Sequence, residues 1–158
     1  MSSRRAQPPA IDPAFACFRL HAGRSGIQGT GIFAREPIPA RRKVIEYSGE
    51  RITMREAVRR LRGRHYQYLF RLSGRWCLDA RISGSGAEYV NHSCDPNLFS
   101  WRVKGHILLM SRRRISAGEE LTLDYNYAAD RRLAPCNCNS PRCRGTINLK
   151  PGKSQSRR

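Results

Sequence analysis

Asn91-His92-Ser93-Cys94-Asp95-Pro96-Asn97 is followed about two dozen residues later by Glu120-Leu121-Thr122-Leu123-Asp124-Tyr125-Asn126-Tyr127, and these two segments are the most informative in the chain. The second segment reads as a short strand over residues 121–125, and Asp95-Pro96-Asn97 reads as a turn. His92, Ser93 and Cys94 are residue types that hydrolases use. Immediate neighbours in an extended loop point apart, however, so none of them can serve as nucleophile and base to another. Asn91 is better read as a residue that fixes the loop.

Further strand signals flank these segments, over residues 44–47, 67–72, 75–78, 98–103 and 106–111. Ser73-Gly74 and Lys104-Gly105 sit between strand pairs as two-residue turns, so two β-hairpins are expected. One helix is marked. Thr53 and Glu56 form a capping box, Met54, Ala57, Val58 and Leu61 recur at helical spacing, and Gly63 stops it. Arg55, Arg59, Arg60 and Arg62 lie mostly off that stripe and read as a solvated face. Short strands, Gly-rich loops and one short helix predict a mainly β domain, β-rich α+β in class. A doubly wound fold is excluded, because Gly26-x-x-Gly29-Thr30-Gly31 has the wrong order for a dinucleotide fingerprint and Pro37 and Pro39 forbid the receiving helix. A Gly-x-Gly at a strand turn still lets backbone approach a ligand closely.

The 158 residues, 39% of them hydrophobic, suit one domain. Residues 1–14 and 150–158 are polar or Pro-rich and are expected to be disordered arms. No apolar run reaches the roughly 20 residues that span a bilayer, and the N-terminus has no apolar core of a leader. A soluble intracellular protein, not exported by the Sec route and without membrane contact, is therefore expected. Thirty basic residues against twelve acidic ones leave +18, a field that favours polyanions. Only Lys43, Lys104, Lys150 and Lys153 of the thirty are lysine, and genome base composition alone can produce such an arginine excess. Cys136, Cys138 and Cys143 cluster while Cys17, Cys77 and Cys94 are scattered, a distribution that suits metal ligation better than a disulfide framework. Cys17 and Cys77 are left as ordinary thiols.

Taken in order, Gly29-Thr30-Gly31, Glu46-Tyr47-Ser48-Gly49-Glu50, the Asn91-His92 segment, the Tyr125 segment and Cys136-x-Cys138-x4-Cys143-Arg144-Gly145 resemble the SET-domain protein lysine methyltransferases with a post-SET segment. The resemblance runs from about Ser25 to Leu149. It implies a SET domain over residues 15–130 and a zinc-binding post-SET segment over residues 131–149. The implied fold is a set of small curled β-sheets whose C-terminal strand threads under a loop as a pseudoknot, bringing the Asn91-His92 loop beside Tyr125. The implied cofactor is S-adenosylmethionine, with contacts at Gln28, Gly29, Thr30, Gly31, Tyr68, Asn91, His92 and Asn137. The implied reaction is an in-line transfer of methyl from the sulfonium to a lysine amine. The amine must be neutral, yet free lysine titrates near ~10.4. Desolvation in an aromatic channel and the adjacent sulfonium charge both lower that value. Tyr125 is similar to the family's catalytic tyrosine and would act by positioning and electrostatics. Tyr127 matches the channel position that carries Tyr or Phe, and a hydroxyl there favours monomethylation. Cys136, Cys138 and Cys143 are one thiolate short of a tetrahedral zinc site, and Cys94 is the natural fourth.

The chain also departs from the family. Glu88-Tyr89 stands where the family often has Arg-Phe, and these 158 residues carry neither a cysteine-rich pre-SET cluster nor an appended reader. Two rivals remain: a catalytically weak SET-like binding module, and a basic zinc-containing nucleic-acid-binding protein. The sparse interleaving of aromatics with arginines counts against the second. The expected partner is a lysine-containing protein, either a histone tail or a nucleoid protein, with nonspecific nucleic-acid contact through the basic surface. The expected state is a monomer, in the cytoplasm or nucleoid or, for a delivered effector, a host nucleus.

Overall fold

The computed structural model describes residues 9–62, 68–129 and 132–150. Among these the elements run β1 (Leu20–Arg24), β2 (Thr30–Ala34), β3 (Lys43–Tyr47), β4 (Glu50–Thr53), α1 (Met54–Leu61), β5 (Leu69–Arg71), β6 (Trp76–Asp79), β7 (Asn91–His92), β8 (Leu98–Val103), β9 (His106–Ser111) and β10 (Thr122–Leu123). A 3-10 turn at Ala87–Tyr89 precedes β7. The mainly β class is as expected.

Alternation along β9 builds the central sheet. Ile107, Leu109 and Ser111 are buried on one face, and β9 pairs antiparallel with both β3 and β8. Lys104 and Gly105 both take positive φ, 47° and 84°. That is the left-handed pair a tight hairpin needs, and it makes the β8–β9 turn as expected. In β3 the register slips between Lys43 and Ile45, which buries Val44 and Ile45 together. With Ile32, Ile38, Leu98, Ile115 and Leu121 they form the core, each such side chain contributing about 1.5–3 kcal/mol on burial.

The second sheet has the order β4-β6-β5. Its β5–β6 hairpin forms at Ser73-Gly74, but the turn is wider than a two-residue type. Leu72 and Ser73 N–H both donate to the Trp76 carbonyl, and Ser73 Oγ accepts from the Arg75 and Trp76 N–H groups. The strand expected over residues 67–72 is shorter, and Gln67 lies outside the described residues. The helix starts as expected, with Thr53 Oγ1 accepting from Glu56 N–H. The reciprocal half of the box is replaced, since the Glu56 carboxylate accepts from Arg59 and Arg60. Arg60 departs from the expected solvated face. It turns inward to Glu50 at 2.7 Å and to the fully buried Asp79 at 2.5 Å, so β4, α1 and β6 share one ionic network. Gly63 lies outside the described residues.

Pattern reading did not find the β1–β2 hairpin, which is antiparallel with Gly23 opposite Gly31. Part of the expected N-terminal arm belongs to the folded body: Ile11 packs on the core, Asp12 N–H donates to Ser85 O, and Ala16 bridges Ile45. Residues 1–8 of that arm and 151–158 of the tail are outside the described set. The strand expected over residues 121–125 is reduced to β10, which pairs parallel with β7, Thr122 opposite Asn91 and Leu123 opposite His92. Just before it, Leu121 N–H donates to Ile32 O and Glu120 bridges Phe33. The segment 120–123 therefore lies between β2 and β7. No helix among the described residues is long and apolar enough to cross a membrane.

Candidate active site

Two polar side chains hold the β10 segment against the 91–97 loop. Asn97 is only 2% exposed. Its Oδ1 accepts from Thr122 N–H at 2.8 Å, and its Nδ2 donates to Glu120 O at 2.8 Å and Glu119 Oε1 at 3.0 Å. Asn91 Nδ2 lies within donating distance of Gln28 O, Thr30 O and Glu120 Oε1, at 3.0, 3.1 and 2.9 Å. Ser25 Oγ donates to the same Glu120 oxygen. Glu120 and Asn91 thus clamp the loop of residues 25–31 to β7. Gly29 takes a positive φ of 50° there, and a Cβ on Gly31 would collide with the Glu120 carboxylate.

Continuing past β10, Tyr125 arrives beside His92, their ring centroids 5.3 Å apart and edge to face. Its hydroxyl donates to Val90 O at 2.8 Å. Burial pushes the phenol up, and Tyr127, Tyr68 and Glu120 add to the shift, so the group stays protonated at neutral pH. Tyr125 N–H donates to His92 Nδ1 at 3.2 Å. That bond leaves the ring proton of a neutral His92 on Nε2, 3.4 Å from Cys94 Sγ. Burial holds His92 below the ordinary imidazole value. Tyr127 lies 5.7 Å from Tyr125 and is 42% exposed. The Tyr68 ring lies tilted against Tyr89 with centroids 5.6 Å apart, and its carbonyl accepts from Tyr47 OH. Tyrosines 47, 68, 89, 125 and 127 therefore form one linked cluster.

The cysteines expected to bind metal converge. The Sγ atoms of Cys94, Cys136, Cys138 and Cys143 all lie within 4.8 Å of one another. Cys94 and Cys136 are 3.7 Å apart, close to the ~3.8 Å edge of a tetrahedron with zinc–sulfur bonds of about 2.3 Å. Arg144 N–H donates to Cys94 Sγ and Gly145 N–H to Cys143 Sγ, contacts that favour thiolates. The four residues fit a structural zinc ion. Arg144 adds a two-pronged pair with Asp124, at 2.7 and 3.0 Å. Buried Asn148 accepts from Ala134 N–H and donates to Ala128 O. These contacts and the Tyr127–Asn148 bridge fasten the cysteine segment to the strand carrying Tyr125. Asn137 is exposed between its two cysteines. Cys17 is exposed and Cys77 buried, both apart from the cluster.

The structure brings Gln28 and Thr30 to Asn91 through direct bonds, with Gly29 and Gly31 in the same stretch of chain, and places Tyr125 against His92, the residue after Asn91, with Tyr127 beside Tyr125. Sequence reading missed Asn97, Glu120, Tyr89, Arg144 and Asn148. Asn97 and Glu120 sit inside the 91–97 and 120–127 segments, but a polar residue in a turn or strand end gives no sign of where its side chain points. Glu88, which stands where the family often has arginine, accepts from Gly86 N–H, and burial pushes its carboxyl up.

Comparison with known proteins agrees with this arrangement. The SET domain model matches residues 29–126. The chain is 42% identical over 141 residues to "Histone-lysine N-methyltransferase ATX2" of Arabidopsis thaliana, covering 82% of this chain and 13% of that protein. It is 41% identical over 138 residues to "Histone-lysine N-methyltransferase 2B" of Homo sapiens, covering 79% and 5%. It is 38% identical over 135 residues to the trithorax methyltransferase of Drosophila virilis, covering 79% and 4%. The chain thus spans only a small part of these curated relatives. Among solved structures it resembles KRYPTONITE in complex with mCHG DNA and SAH, with a TM-score of 0.72 and 30% identity over 84% of this chain and 29% of that one. With the family model covering more than half of its residues and the fold matching, the chain belongs to the SET domain family.

Proposed function

We propose that the protein is an S-adenosylmethionine-dependent protein-lysine N-methyltransferase. One observation carries the reading: the protonated Tyr125 phenol lies against His92 while Asn91, on the same two-residue strand, is bonded to the Gln28–Thr30 loop. A cofactor held by the loop of residues 28–31, Asn91, His92, Tyr68 and Asn137 would present its methyl group toward the tyrosine recess. The SAH in the KRYPTONITE complex is what that cofactor becomes after losing the methyl, which supports the choice. The lysine ammonium gives up its proton to solvent water before attack. Bound S-adenosylmethionine would supply the methyl, its S–C bond breaking as the N–C bond forms, to leave a neutral thioether and a methylammonium. A recess lined by tyrosines disfavours the ammonium by desolvation. Tyr125 is already at a backbone carbonyl and too weak an acid to ionise, so it orients the amine and does not take its proton. Zinc held by Cys94, Cys136, Cys138 and Cys143 would keep the C-terminal segment docked on β7.

Tyr127 keeps its hydroxyl beside the channel, and the main product is monomethyl-lysine. The substrate is a histone or other DNA-associated protein, as the names of the relatives suggest, and the +18 charge holds the enzyme near nucleic acid in chromatin or a nucleoid. The enzyme acts as a monomer. Mass spectrometry of turned-over peptide tests the product state: monomethyl should dominate and Tyr127→Phe should raise it, whereas dominant trimethyl from the native chain overturns this part. Failure of metal-loaded protein to bind S-adenosylmethionine overturns the whole.

A further inference from the structure

Away from the tyrosine recess, the two hairpin turns, at Ser73-Gly74 and Lys104-Gly105, bound a shallow cleft of about 200 Å³ whose lining includes Arg51, Trp76, Arg102 and Lys104. Arg71 and Arg75 flank it. Its guanidinium groups are held in place by neutral partners. Arg51 Nη2 donates to Gly105 O at 2.9 Å, Arg102 Nε to Arg71 O at 2.8 Å, and Arg71 Nε to Ser73 O at 3.2 Å. Arg102 also lies over the Phe70 ring and Arg75 over the Trp76 ring. Arg19, Arg59, Arg60, Arg113 and Arg144, by contrast, each pair with a carboxylate. Among the described residues no carboxylate ion pair involves any of the five cleft cations. Arg102 is even held below its ordinary value by burial and by the like charge of Arg71.

We propose that this cleft is a binding site for the phosphate backbone of duplex nucleic acid. Five cations, four of them held by these contacts, repel one another, so the surface is stabilised by whatever anion neutralises it. Each guanidinium bonded to a carbonyl through one N–H keeps others free for phosphate oxygens. Charge density separates the candidate partners. A duplex carries one charge per ≈ 1.7 Å of axis and releases its counterions on binding, whereas even a fully acidic extended peptide offers one per about 3.3 Å. From Tyr68 to Ser73 the chain advances five steps, about 16 Å when extended, so the cleft opens at the turn end of the β5–β6 hairpin while Phe70, under Arg102, packs on Tyr47. The proposal locates the nucleic-acid contact proposed above and rests on it, but not on methyl transfer.

The test titrates a fluorescent 20-base-pair duplex with the full-length, zinc-loaded chain between about 50 and 200 mM salt. Arg71→Gln/Arg75→Gln/Lys104→Asn is compared with a control of equal net charge, Arg35→Gln/Arg112→Gln/Arg114→Gln, whose side chains are exposed. Three lost phosphate contacts should lower the slope of log affinity against log salt by about 2.7 and weaken low-salt binding at least about tenfold, while the control changes the slope by less than about 1. If the triple variant does not fold, Arg75→Gln/Lys104→Asn carries the comparison, with a slope change near ~1.8. Equal losses in cleft and control variants overturn the site and leave only diffuse charge. Polyglutamate displacing the duplex at matched charge overturns it in favour of an acidic protein partner. No duplex binding by the native chain overturns both the site and the nucleic-acid reading.

Discussion

Replacing Asn97 with alanine removes the side chain that staples the 91–97 loop to the segment carrying Tyr125. The amide makes three bonds: Thr122 N–H to Oδ1, and Nδ2 to Glu120 O and Glu119 Oε1. Without it the Thr122 N–H, on a residue 8% exposed, has no partner, and the Glu120 carbonyl loses a donor. An unsatisfied buried group costs about 1–3 kcal/mol, so the variant should lose about 2–4 kcal/mol, a large part of the ~5–15 kcal/mol that holds a domain together. In a thermal melt that is a fall in Tm of about 4–16 °C. The loss should also depend on pH. Burial alone would raise the Glu119 carboxyl, but Arg113, Ser116 N–H and Asn97 together hold it below its ordinary value. A depressed carboxyl stabilises the fold above its unfolded pKa and stops doing so as pH falls through the folded one. The gap between native and Asn97→Ala proteins should therefore be widest at neutral pH and narrow in acid. Urea denaturation at several pH values reads this out. A loss below about 1 kcal/mol with unchanged cofactor affinity would refute the stapling role assigned to Asn97.

Gly31→Ala places a methyl group against the Glu120 carboxylate, so it should weaken S-adenosylmethionine binding at least about tenfold in a calorimetric titration through displacement of the clamped loop. Native-like affinity would show that Glu120 moves aside freely. Removing zinc with a chelator should unfasten the Cys136–Cys143 segment from Cys94 and abolish both cofactor retention and transfer, with zinc restoring them. Unchanged transfer after metal analysis reads zero would break the link between the cysteine cluster and the tyrosine recess.

Much of this fold was legible because strong local signals carried it. Lys104-Gly105 specified its hairpin through two left-handed residues, and Thr53 marked the start of α1. The β1–β2 hairpin was hidden, since Gly23, Gly29 and Gly31 remove the side chains whose alternation would reveal it. β7 and β10 are two residues each and exist only because distant segments meet, so no local pattern encodes them. Arg60 shows the same limit from another side: on an exposed helix it looks like surface, and only the buried Asp79 two strands away turns it inward. The site was readable as ordered motifs through resemblance, and the four cysteines converge as that resemblance implied. The clamps were not readable, because Asn91 and Asn148 donate to backbone carbonyls far along the chain and Glu120 accepts from the distant Ser25 and Asn91 side chains.

Methyl transfer from labelled S-adenosylmethionine to lysine in nucleosome or nucleoid protein, native chain against Tyr125→Phe, tests the account most directly. The native, zinc-loaded protein should label lysine. The variant should stay folded and bind cofactor, yet transfer roughly 10²–10³-fold more slowly. Equal rates from the two proteins, or no labelled lysine from a native protein that binds the cofactor, would contradict it.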